Sequence, residues 1–195
     1  MRRRPARFVR VARRIAEALG PEECLLAGGL AVMAYGFVRA TRDVDLLTRL
    51  PLSGARARLA TRNLPTRLLR GDPLEGGLSC LKGECEGLPF DVLPQAVPVH
   101  WEAAVPVAGR GAGSLRVVAL GDLLALKLKA RGPKDLMDAA ILVLLHPETE
   151  ARTRDLATAY RVLDEFETWL NHPRMRAQAR EEARRERRAR RGRIS

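Results

Sequence analysis

The sequence has little cysteine, little histidine, few lysines and no long apolar run, and each shortage excludes something. Its three cysteines are Cys24, Cys80 and Cys85. An odd number without a paired CxxC motif suits reduced thiols and speaks against a disulfide framework or a thiolate metal site. No apolar run approaches the roughly 18 residues that cross a bilayer. The opening stretch, MRRRPARFVRVARRIAEALG, has no uninterrupted apolar segment of the kind a secretory leader carries. We therefore expect a cytoplasmic protein with no membrane association. His100, His146 and His172 are scattered without ligand spacing, and structural or solvent-exposed roles are expected for them. Internal repeats are absent.

What is present is apolar residues and arginine. With 195 residues, 46% of them hydrophobic, the chain is long enough for one domain with a real core. The formal net charge is +12, which favours polyanionic partners without naming one. Much of the excess lies at the C-terminal end, where ten arginines and three glutamates fall between Arg174 and Ser195. We expect a main domain over residues 1–172, helical in its C-terminal part, and an arginine-rich tail over 173–195. That tail is either a solvated helix or a nucleic-acid-binding arm.

The hydrophobic pattern reads as α/β. Phe8, Val11, Ile15 and Leu19 form a helical stripe closed by Gly20-Pro21. A short buried strand in ECLLA, a short helix in GLAVMAYGFV and a second strand in DVDLLT then make a strand, glycine turn, helix, strand unit. Residues 53–63 read as a helix, 78–84 and 89–93 as a hairpin, and SLRVVAL as a further strand. GDLLALKLKAR and PKDLMDAAILVLL are two helices separated by Gly132-Pro133, and a longer helix is expected over about 153–170. Strands come early and helices late.

The chemistry concentrates in residues 25–48, LLAGGLAVMAYGFVRATRDVDLLT. In an extended strand, side chains two apart project from one face, so Asp43 and Asp45 would present their carboxylates together while Val44 enters the core. Adjacent carboxylates repel unless a cation lies between them, and hard oxygen ligands suit Mg²⁺ bound to substrate phosphates. Gly28-Gly29 at a helix start lets backbone N–H groups approach an anion. Either feature alone is usually architectural: a Gly-Gly pair marks a turn, and a D-x-D an exposed edge. Arg39 and Arg42 are the nearby cations able to offset the acidic pair without any metal.

GGLAVMAYGFVRATRDVDLL resembles the signature of the nucleotidyltransferase superfamily, a GG or GS motif followed by D-x-D, in the R-x-T-x-D-x-D version of the AbiEii/AbiGii-type (MenT-like) nucleotidyltransferases of bacterial toxin–antitoxin and phage-defence systems. Downstream, LGDLLALKLKARGPKDLMDAAIL is similar to that family's L-x-x-L-x-x-K-L-x-A…R-x-x-K-D-x-x-D segment, through Lys127, Arg131, Lys134, Asp135 and Asp138. Between them LPFDVLP places Asp91 where the superfamily's third carboxylate stands. The ordered motifs cover roughly residues 25–145.

The resemblance implies a polymerase-β-like α/β (α+β) fold, a small mixed sheet flanked by helices with further C-terminal helices. It implies an Mg²⁺-dependent nucleotidyltransferase that transfers NMP from an NTP, such as ATP, to an acceptor hydroxyl. Asp43, Asp45 and Asp91 would be the catalytic carboxylates and the ligands of two Mg²⁺ ions, with Asp91 also the base. Asp91 on alternation alone is equally an exposed hairpin aspartate. Gly28, Gly29, Arg42, Lys127 and Lys134 would bind the nucleotide, and Arg39, Asp135 and Asp138 would support the site. Lys127 also reads as a snorkelling lysine on an apolar helix, and Lys134 with Asp138 as an ordinary i,i+4 pair. The implied acceptor is RNA, the tRNA 3′ end, with an antitoxin protein as partner. A protein or small-molecule acceptor and a nonenzymatic RNA-binding role are the alternatives, because the helical C-terminal half common in AbiEii-like proteins is short here.

Overall fold

The apolar stripe of the first helix decides how the chain starts to fold. In the computed structural model, which describes residues 3–71, 78–107 and 114–191, helix α1 (Arg3–Leu19) buries Val11, Ile15 and Leu19. It packs against strand β2 (Val44–Thr48) and helix α3 (Leu52–Ala60). Gly20, at φ 98°, ends it in a conformation that L side chains rarely adopt. Strand β1 (Cys24–Leu26) is fully buried, and helix α2 (Gly28–Ala34) follows at once. The helix expected over GLAVMAYGFV ends at Ala34, just ahead of Gly36 at φ 98°.

The chain divides into two compact units, Met1–Ala34 with Ala40–Ala119, and Tyr35–Arg39 with Leu120–Ser195. The first contains a mixed seven-stranded sheet among the described residues. Besides β1 and β2 it holds β3 (Thr66–Leu69), β4 (Cys80–Cys85), β5 (Leu88–Pro94), β6 (Val105–Pro106) and β7 (Arg116–Val117), in the order β3-β4-β5-β2-β1-β7-β6. β4 and β5 form the expected hairpin, turned by Glu86 at φ 53° and Gly87 at φ 70°. Positive φ at both turn residues matches the right-handed twist of the two arms. β2 pairs parallel to β5 and antiparallel to β1. One face of the sheet buries Leu46, Leu81, Phe90 and Val92.

The sheet differs from the sequence expectation in several places. β3 was not expected: PTRLLR has no clean alternation, and the strand lies at the end of the sheet with Leu68 and Leu69 exposed, where burial imposes no pattern. The strand read into SLRVVAL is only the two residues of β7.

The second unit is helical: α4 (Leu120–Ala130), α5 (Pro133–Leu145), α6 (Glu150–Ala159), α7 (Leu163–Leu170) and α8 (Pro173–Arg191). The single helix expected over 153–170 is two, because Arg161 adopts φ 57° and breaks the ladder between α6 and α7. α8 packs on α5 and α7, burying Met175 and Ala179 and exposing Arg176, Arg180 and Arg184. The last four residues of the expected tail, 192–195, lie outside the described residues. Among the described residues no helix is long and apolar enough to cross a membrane.

Candidate functional site

The β1-β2 pairing places the glycine turn against the first acidic strand. Leu26 sits opposite Leu46, and the next amide along, Ala27 N–H, donates to the Asp45 carbonyl at 2.9 Å. The chain must then turn into α2 directly over the Asp45 side chain. Gly28 does this at φ 56°, and a Cβ built there would lie 1.7 Å from Asp45 Oδ2 and 2.6 Å from Asp45 Cβ. Only glycine allows this approach. Gly29 is buried in the first turn of the helix.

The parallel β2-β5 pairing then fixes the second carboxylate. Asp45 is in register with Asp91, with Val44 opposite Phe90 and Leu46 opposite Val92 on either side. By strand alternation the two carboxylates share the sheet face opposite Val44, Leu46, Phe90 and Val92. Asp43 lies one residue ahead of β2 rather than within it, where its Oδ1 accepts a 3.0 Å hydrogen bond from the Thr41 hydroxyl.

The structure adds a residue that the sequence reading missed. Lys82 on β4 is in register with Asp91, and its Nζ donates to Asp91 Oδ2 at 2.6 Å. The hydrogen bond that Lys82 donates to Asp91 raises the Lys82 pKa, burial opposes this, and the charges of Asp91 and Asp43 raise it further. The Cys80 thiol, pushed up first by burial, is raised again by Asp91 and Asp45. All three carboxylates thus contribute to the field at one patch of the sheet. Lys82 offsets their repulsion, a role the sequence offered to Arg39 and Arg42. Arg42 instead is exposed, with no ion pair among the described residues, and Arg39 pairs in the second unit.

There, Asp138 on α5 is completely buried and receives Arg39 through Nη2 to Oδ2 at 2.8 Å, with Nε 2.8 Å from Oδ1. Lys127 on α4 reaches Asp138 Oδ2 at 2.9 Å and Asp135 Oδ1 at 2.7 Å. Lys127 is therefore a buried cation between two carboxylates, not a snorkelling lysine. The expected i,i+4 partner of Asp138, Lys134, is exposed in the first turn of α5, and Asp138 uses Lys127 and Arg39 in its place. His146 Nε2 lies 2.9 Å from the Tyr35 carbonyl, and His172 Nδ1 accepts from the Arg174 amide at the start of α8, so both have structural partners.

The three cysteines are free and buried, and burial pushes the Cys24 thiol up to about 12. A cavity of about 480 Å³ between α3, β3 and β4 is lined by Leu52, Arg56, Leu68 and Leu81. Leu81 alternates with Lys82, so this cavity belongs to the face opposite the carboxylates. Among the described residues no group of three His, Cys, Asp or Glu side chains stands assembled as a metal site. The donor set nonetheless fits a hard divalent cation in kind: Asp45 and Asp91 abut in register, Asp43 stands two residues from Asp45, and all offer carboxylate oxygen.

No family model matches the sequence, and no curated protein matches it. The fold does have solved counterparts. A provisionally designated nucleotidyltransferase from Thermotoga maritima aligns with a TM-score of 0.51 at 18% identity, over 67% of this chain and 87% of its own. A similarly designated protein from Helicobacter pylori aligns at 0.51 and 12% identity, over 95% of this chain and 97% of its own. The architecture is thus the mixed α/β nucleotidyltransferase fold that the motifs imply.

Proposed function

We propose that this chain is a nucleotidyltransferase, moving an NMP group from an NTP to an acceptor hydroxyl. The observation that carries the reading is the in-register pair Asp45–Asp91 with Gly28 closed over Asp45. In-line transfer at an α-phosphate needs a carboxylate pair beside a backbone that can approach phosphate. Asp43, Asp45 and Asp91 would hold two Mg²⁺ ions, which when bound neutralise charge on the attacking and leaving oxygens.

The chain's own residues supply the rest. Gly28-Gly29 would offer backbone N–H groups to a triphosphate, with Arg42 as an exposed cation near the D-x-D motif. Asp91 is the base for the acceptor hydroxyl. Lys82 holds Oδ2, leaving Oδ1 to take the proton. The net charge of +12 favours RNA as acceptor. A tRNA 3′ end, and a toxin held by an antitoxin, are the finer reading supported by the AbiEii-like motifs.

The test is incubation of the full chain with each α-labelled NTP, Mg²⁺ and total RNA. Label should enter RNA, and both EDTA and Asp45→Asn should abolish it. Absence of label from RNA, protein and small molecules alike, or full labelling by Asp45→Asn, would overturn the reading.

A further inference from the structure

The registers of four adjacent strands combine into one transverse row. Arg67 on β3 is opposite Lys82 on β4, Lys82 is opposite Asp91 on β5, and Asp91 is opposite Asp45 on β2. Paired residues project from the same face, so Arg67, Lys82, Asp91 and Asp45 line one face in that order, with Gly28 against Asp45 at the far end. The row is polar: a phosphate-permissive glycine and two carboxylates at one end, two cations at the other. Neighbouring strands lie about 4.8 Å apart, so Arg67 and Asp91 are separated by about 10 Å of backbone, within reach of an extended arginine.

We propose that Lys82 and Arg67 form a subsite that holds a backbone phosphate of the acceptor strand. The inference rests on the nucleotidyltransferase reading above, and it names the residues that would recognise the RNA acceptor of that same site. Once the Gly28 end is given to the NTP, the acceptor hydroxyl must approach Asp91 from the other side, across Lys82. Lys82 spends one N–H on Asp91 and has two more to donate. Arg67 is exposed and makes no hydrogen bond or ion pair among the described residues, so its planar fork is free for phosphate. An aminoglycoside-like acceptor carries ammonium groups that this end of the row would repel. A protein hydroxyl has no anion at a fixed spacing from it, whereas the 3′ hydroxyl of a strand always has its own backbone phosphate.

The test uses the full chain and a short fluorescent oligoribonucleotide in two forms, one fully charged and one with uncharged methylphosphonates at its two 3′-proximal linkages. Anisotropy without NTP reads binding, and steady-state labelling reads KM for each substrate. Arg67→Ala should weaken binding of the charged form severalfold and lower the slope of log affinity against log salt by about one. It should not weaken the neutral form further, and Arg67→Lys should restore most of the loss. Arg56→Ala, on the opposite face, should leave both unchanged. KM should rise for RNA and not for NTP.

Equal losses on charged and neutral oligomers, no binding by the wild type, or a rise in KM for NTP alone would overturn the subsite, the last by assigning the cations to the triphosphate. Charged-form binding that depends on Arg67, in a protein that transfers no label, would sink the nucleotidyltransferase reading while leaving the phosphate subsite standing. Transfer to RNA that ignores Arg67 would do the reverse.

Discussion

Two clusters of acids and bases, one in each unit, use the same residue types to opposite ends. In the helical unit Arg39 and Lys127 face Asp135 and Asp138, two cations against two anions, with Asp138 fully buried and Lys127 7% exposed. On the sheet, Lys82 feels the charges of Asp91 and Asp43, and the Lys82–Asp91 side chains are 36% and 19% exposed. Balanced and buried charge is paired for structure, since each partner would be costly alone. Carboxylates set side by side at a partly open surface are costly to one another unless a cation joins them. On the proposed reading, the motif segment around Lys127 and Asp138 and the D-x-D motif are two different things, one pairing charge between helices and the other offering carboxylates to a cation.

The widest separation between the clusters should appear in activity. Asp45→Asn and Asp91→Asn each remove a carboxylate that would hold the metal, and transfer should fall on the order of 10³-fold or more. Stability should hold or rise for Asp45→Asn, where carboxylate repulsion is relieved, and fall by less than about 1 kcal/mol for Asp91→Asn, where Lys82 loses its partner. A thermal melt beside the labelling assay checks both, and wild-type labelling by either variant would break the contrast. Asp138→Ala should do the opposite. It leaves Arg39 and Lys127 buried without their shared partner, a loss of about 3–5 kcal/mol in urea unfolding. A mild effect on stability there would show that water already reaches the cluster.

These expectations also show what the sequence could reveal. The D-x-D motif and the glycine pair were legible because strand alternation and helix-start chemistry are local, and the order of the motifs gave the fold. The Arg39–Asp138 pair spans 99 positions, and no local periodicity links them. Lys82 was within reach: counting back from the Glu86-Gly87 turn along both hairpin arms brings Lys82 opposite Asp91. The break at Arg161 was hidden because YRVL contains neither glycine nor proline, and a left-handed arginine is a tertiary demand.

Gly28→Ala sharpens the comparison from inside the open cluster. The added methyl meets Asp45 Oδ2 at 1.7 Å and Asp45 Cβ at 2.6 Å, so both the side chain and the backbone must move. With the left-handed φ, the expected cost is roughly 1–3 kcal/mol. That is smaller than the loss at Asp138, yet kcat should fall far more than stability, because the displaced group is Asp45 itself. A variant destabilised but fully active would show that the close approach of Gly28 serves packing only.

The smallest effect expected is that of the Lys82–Asp91 pair on stability, and its pH dependence has a definite sign. Lys82 has a folded pKa raised above 10.5. A base raised in this way stabilises the fold fully below its unfolded pKa, and the contribution is lost as pH rises through the folded value. The stability difference between wild type and Lys82→Met should therefore stay flat from neutrality to about pH 10.5 and shrink above it. Because Lys82 is partly exposed, solvent screening should hold the difference below about 1 kcal/mol, against several for Asp138→Ala. Urea midpoints for both proteins from pH 7 to 11 measure it. A difference that shrinks well below pH 10 would mean that Lys82 is not held by Asp91 as the structure has it, and that the two clusters are less unlike than their geometry makes them.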